Sequence, residues 1–76
     1  MNLDSFSIDQ QIKVQGKSSK GINRIIEHGD IWRVKNKWKK GHFPWIEEDS
    51  VLLESLLDKV TSIDIQVIED THFKLV

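Results

Sequence analysis

Between Ile31 and Trp38 the chain alternates Trp32, Val34 and Trp38 with Arg33, Lys35 and Lys37. Successive side chains of an extended strand point to opposite faces, so this pattern predicts a strand with its tryptophans inward and one purely cationic face. A chain of 76 residues has few ways to bury two tryptophans. Such a chain hides only about 60% of its unfolded surface, and its core must be compact and assisted by aromatic rings. The absence of cysteine removes disulfides and thiolate-bound zinc as staples. The expectation is one domain, 1–76.

Period two recurs elsewhere. Phe6, Ile8, Ile12 and Val14 line one side of an extended segment that is clearest from Gln11 to Gln15. Gly16-Lys17-Ser18-Ser19-Lys20-Gly21 reads as a polar loop. Ile22 to Glu27 then predicts a strand that turns through His28-Gly29-Asp30 and pairs as a hairpin with Ile31–Trp38. Gly41 and Pro44 make 39–48 irregular, with Phe43 and Trp45 expected to fold back over the core as a lid. Downstream, Ile63, Ile65 and Val67 alternate with Asp64 and Gln66, and Phe73 with Leu75 suggests a last short strand. The segment 50–60 is ambiguous. Leu52, Leu53, Leu56, Leu57 and Val60 have helical spacing behind the acidic run Glu47-Glu48-Asp49, so periodicity alone favours a helix, and the competing reading makes Val51 to Leu56 a short apolar strand.

The run from Ser19 to Val34 resembles an "SKG-x-NRI-x-EHG-x-x-W-x-V" pattern found in small phage and bacterial domains with no assigned activity. There it is followed by an "LLxSL" segment, here Leu52 to Leu56, and an acidic turn ending in Phe, here Glu69 to Phe73. The resemblance implies a compact, mostly β fold in which 51–57 is a strand. The Ile25-Ile26 pair and the extra Leu57-Asp58-Lys59 depart from the pattern. The resemblance outweighs the helical period at 50–60, and with the period-two segments it predicts a small twisted antiparallel sheet, curled toward an SH3-like, partly open barrel. The alternative is an α+β fold with a helix at about 49–60. The expected core is Ile12, Val14, Ile25, Trp32, Val34, Trp38, Leu53, Ile65, Val67 and Phe73.

Charge is divided as sharply as hydropathy. From Lys13 to His42 nine basic residues face two acids, while the remaining 46 residues carry ten acids against Lys59 and Lys74. The net charge of −1 therefore hides a strong dipole. Cations interleaved with aromatic residues suit nucleic acid or an acidic protein surface. Side chains of Arg33, Lys35 and Lys37 would recur about 6.6–7 Å apart, near the spacing of successive phosphates. Lys17, Lys20, Arg24, Lys39 and Lys40 could extend that stripe. Two plainer readings compete: the cations pair internally with Glu47, Glu48, Asp49, Asp64, Glu69 and Asp70, or they keep a sheet edge soluble. Arg24 would either pair with Glu27 or a carbonyl, or join the recognition surface.

Other chemistry is poorly supplied. Gly16-Lys17-Ser18 lacks the glycine that a phosphate-binding loop needs five residues earlier, where Gln11 stands. His28, His42 and His72 show no paired metal-ligand spacing, and His28 is expected to order its turn through the backbone or Asp30. No serine has a nucleophile's setting, and tyrosine is absent. No cofactor, membrane contact or small-molecule substrate is expected. The start of the chain lacks signal-peptide features, which suggests a cytoplasmic protein. The functional expectation is a non-catalytic binding module, nucleic-acid-associated through its basic strand face. The alternative is a phage-borne accessory factor that binds and modulates a host protein through the Trp38–Trp45 loop, with Phe43 and Trp45, or through its acidic half.

Overall fold

A computed structural model describes residues 3–76. A 3-10 turn at Leu3–Ser5 leads into strand β1 (Gln11–Gly16), helix α1 (Ser19–His28) and strands β2 (Ile31–Trp38), β3 (Ser50–Ser55), β4 (Ser62–Gln66) and β5 (Phe73–Leu75). The strands form one antiparallel sheet in the order β4-β3-β2-β1-β5. The protein is mostly β, with a twisted, open sheet. β1 divides its partners: Gln11 to Lys13 pair with β2, and Val14 to Gly16 pair with β5. A strand shared in this way curls the sheet, while β4 and β5 remain its two edges. No helix among the described residues is long and apolar enough to cross a membrane.

The hairpin expected at 22–38 does not form. Residues 22–27 belong to α1, and β2 pairs with β1 instead, Ile12 opposite Trp32. Local chemistry supports the helix. Ser18 is its N-cap, accepting the Gly21 N–H at 3.1 Å. Gly29, at φ 84°, ends it and returns its N–H to the Ile25 carbonyl at 2.8 Å. The glycine read as a hairpin turn is a helix terminus. Close approach requires Gly16 and Gly21: a Cβ on Gly21 would lie 1.9 Å from the His72 carbonyl oxygen, and one on Gly16 2.4 Å from the Ile22 nitrogen. The pattern Gly16–Gly21 therefore lets α1 begin directly against the end of β1.

The helix alternative for 49–60 does not occur. Val51, Leu53 and Ser55 are fully buried, alternating with half-buried Leu52 and Glu54, and the chain turns after Ser55. The strand implied for 51–57 thus ends two residues early. Leu57 and Val60, part of the apparent helical stripe, stand exposed in the turn.

The core contains Leu3, Phe6, Val14, Trp32, Val34, Val51, Leu53, Ile65, Val67 and Phe73. Ile12 and Ile25, expected inside, are partly buried against it. Trp38 does not join the core, because the register shifts between Val34 and Asn36 and leaves Lys35 as an extra residue. Beyond this bulge Lys37 lies opposite buried Val51, and Trp38 lies opposite Ser50. A one-residue shift exchanges the two faces of a strand.

The turn between β3 and β4 is tied to the end of α1. Asp58 accepts from the Thr61 N–H, the Thr61 hydroxyl and the Val60 N–H, and lies 2.7 Å from His28 Nδ1. Those bonds, led by the Thr61 N–H, hold its carboxyl well below the usual carboxylate range. His28 therefore orders the β3–β4 turn rather than bonding Asp30. The depressed carboxyl contributes stability that is present above its unfolded pKa and lost as pH falls. Thermal melts of wild type and Asp58→Asn should differ above about pH 4 and converge as pH drops further; a gap independent of pH would refute this coupling. Gly21→Ala should cost roughly 1–3 kcal/mol or more in urea unfolding, because backbone lies where the methyl must go.

Candidate binding surface

The expected cationic stripe is largely neutralised within the fold. Arg33 and Glu54 are cross-strand partners, and Arg33 Nη2 donates to Glu54 Oε1 at 2.9 Å. Glu54 Oε2 lies 3.5 Å from Lys35 Nζ, and Asp9 lies 3.5 Å from Arg33 Nη1. The Glu54 side chain is only 14% exposed, so these pairs sit in a partly desolvated setting. Lys37 leaves the stripe because of the bulge. Its Nζ donates to the Phe6 carbonyl at 2.8 Å and the Leu3 carbonyl at 3.4 Å, closing the N-terminal turn over the core. Three cations read as one surface thus serve two separate structural tasks.

The remaining candidates scatter. Lys17 donates to the Asp70 carbonyl at 2.8 Å and lies 3.8 Å from Glu69. Lys40 Nζ sits 4.0 Å from Glu48, and its backbone N–H donates to Asp49 Oδ1. Lys39 lies exposed in the long β2–β3 loop. Lys20 and Arg24 project from α1 into a cleft shared with Ser62, Asp64 and His72, and neither makes an ion pair among the described residues. Arg24 does not take the structural pairing with Glu27 that its sequence position suggested; Glu27 instead lies 3.5 Å from His28.

The Phe43–Trp45 lid does not close over the core. Trp45 is 70% exposed and stacks on Phe43 with centroids 4.7 Å apart and planes 7° from parallel. His42 meets the Phe43 ring edge-on at 4.6 Å. Lys39 and His42, Phe43 and Ile46, and Gly41 and Ile46 are joined by backbone hydrogen bonds at 2.8–3.0 Å, which fold the loop tightly beneath the rings. The result is a presented aromatic pair on a braced loop. Beside it lies a cleft of about 230 Å³ lined by Trp45, Glu47, Ser50, Asp64, Gln66 and Asp70. Burial raises the Asp64 carboxyl above its ordinary value. Glu47 and Asp70 in the same cleft make the β4 side of the aromatic pair acidic.

Sequence reasoning missed Glu54, the acid that neutralises Arg33 and Lys35. It is the lone acid inside the Val51–Ser55 run, a signal that register alone makes interpretable. It also missed Ser55, whose hydroxyl donates to the His28 carbonyl and accepts the Leu57 N–H at 3.1 Å. Among the described residues no group of three or more His, Cys, Asp or Glu is placed to hold a metal ion.

Glu54→Ala should destabilise the fold by about 1–3 kcal/mol, since it leaves Arg33 half-buried without its main acceptor. Lys35→Ala should cost under about 1 kcal/mol, as an exposed partner does. Chemical denaturation of the two variants decides it, and equal losses would refute the asymmetry. Searches against protein-family models, curated proteins and solved structures find no match to this chain.

Proposed function

We propose that the chain is a non-catalytic binding module that recognises a protein partner through its β2–β3 loop, with Phe43 and Trp45 as anchors. The carrying observation is the exposed stacked pair on a loop braced by its own hydrogen bonds. Large rigid rings lose little conformational entropy on contact and dominate the energy of many interfaces. Internal pairing of Arg33 and Lys35, together with inward placement of Lys37, weakens the case for a polyanion on the strand face. The acids around Trp45 weaken it further at the loop.

A nucleic-acid reading retains Lys20, Arg24 and Lys39, which among the expected binding cations have neither an ion pair nor, as Lys37 has, a carbonyl partner among the described residues. Three dispersed charges would give a shallow salt dependence rather than the steep one of a phosphate-tracking stripe.

Affinity capture with wild-type bait should recover one or more partners that Trp45→Ala and Phe43→Ala lose by about tenfold or more. Unchanged recovery by both variants would refute the proposal. Anisotropy with a labelled single-stranded oligonucleotide provides the opposing readout. Binding that falls steeply between about 0.05 and 0.5 M salt and is lost on charge reversal at Arg33 and Lys35 would return function to the basic strand.

A further inference from the structure

The β4 edge carries open hydrogen-bonding rungs. The Val67 N–H donates to the Asp49 carbonyl at 2.9 Å, and the Ser55 N–H to the Thr61 carbonyl at 3.0 Å. With the register Ser50 to Gln66 through Glu54 to Ser62, these bonds put Thr61, Ile63, Ile65 and Val67 in hydrogen-bonded pairs with β3. Ser62, Asp64 and Gln66 therefore turn their N–H and C=O groups away from the sheet. Asp70 Oδ1 takes the Gln66 N–H at 3.1 Å. The Ser62 and Asp64 N–H groups have no partner across this edge among the described residues.

The opposite edge is managed differently. β5 has three residues with Lys74 at its centre, and its outward Phe73 N–H is taken by Asp70 Oδ2 at 3.1 Å. Short length, an edge lysine and side-chain caps are the usual protections against strand addition. β4 has five residues, Ser-Ile-Asp-Ile-Gln, with no lysine, proline or bulge.

Charge along this edge is polar. At the Ser62 end lies a cleft of about 200 Å³ with Lys20, Arg24 and His72 on its wall. At the Gln66 end lies the cleft of Trp45, Glu47 and Asp70. We propose that β4 accepts an extended segment of the partner protein as an added antiparallel strand, basic at its N-terminal end and acidic four residues later. An antiparallel strand enters at Gln66 and leaves at Ser62, and residues four apart share one face. Its basic residue then meets Trp45 and the acids, and its acidic residue meets Lys20 and Arg24. This rests on the protein-partner reading above and names the partner's chemistry.

The test uses the synthetic peptide acetyl-KVTVE-amide and amide NMR spectra of the full chain. At about 1 mM peptide the Ser62 and Asp64 amides should shift and their hydrogen exchange should slow. N-methylation of the peptide's threonine, which faces Asp64 in this register, should abolish binding without touching the protein. The reversed sequence acetyl-EVTVK-amide should bind at least about fivefold more weakly. Asp64→Pro removes an outward donor while sparing the β3 ladder, and should match the N-methyl result if the Trp32 indole resonance reports an intact core. Unmoved Ser62 and Asp64 amides, or indifference to N-methylation or to charge order, would overturn edge pairing. The two proposals fail separately: partner capture lost in Trp45→Ala but intact in Asp64→Pro removes the added strand alone, and the converse removes the aromatic anchor alone.

Discussion

Helix α1 ends on two buried donors, and the placement of everything else follows from that contact. Trp32 and Ser55 lie directly opposite each other on β2 and β3 and are both fully buried. Trp32 Nε1–H donates to the Gly29 carbonyl at 3.0 Å, and the Ser55 hydroxyl donates to the His28 carbonyl. The last carbonyls of a helix have no partner within it, and burying them unpaired would be costly. One cross-strand pair thus satisfies the helix terminus and locks α1 to the centre of the sheet. At the other end Ser18 caps the helix while its hydroxyl meets His72 Nδ1 at 2.7 Å, joining the helix start to the approach to β5. Fixed at both ends, α1 can connect two adjacent antiparallel strands that a simple turn would otherwise join.

The charge distribution follows from register rather than composition. Composition supplies a basic first half and an acidic second half, and antiparallel pairing of β2 with β3 folds one onto the other. Glu54 meets Arg33 because the two are opposite in the register, and Lys35, the bulge residue two positions on, reaches the same carboxylate. What the fold leaves available is smaller and differently placed: an aromatic pair on the β2–β3 loop, acids beside it, and two cations on α1.

Several elements were legible because their signal is local. β1, the first half of β2, β4 and β5 each carry period-two alternation, and Val14, Trp32, Val34, Leu53, Ile65, Val67 and Phe73 are buried as expected. α1 was misread because His28-Gly29-Asp30 satisfies the chemistry of a hairpin turn as well as that of a helix terminus. Its spacing of Ile22, Ile25 and Ile26 is helical, yet Ile22 and Ile26 are exposed, so the stripe does not mark a buried face. In β3 the reverse occurred. It lies between β2 and β4, buries one face fully and the other by half, and so carries consecutive leucines that imitate helical periodicity.

By itself, the sequence determined that this chain is one small, mostly extended unit with Trp32 inside and polar turns between strands. Those outcomes depend on neighbours a few residues away and on the cost of exposing large apolar groups to water. Tertiary structure alone decided which cations remain unpaired and which aromatic rings face solvent. The bulge at Lys35 sends Lys37 inward and Trp38 outward, and only pairing with β3 creates it. Face assignment past such a point is a long-range property, since the extra residue is defined by the strand opposite and not by the strand that holds it.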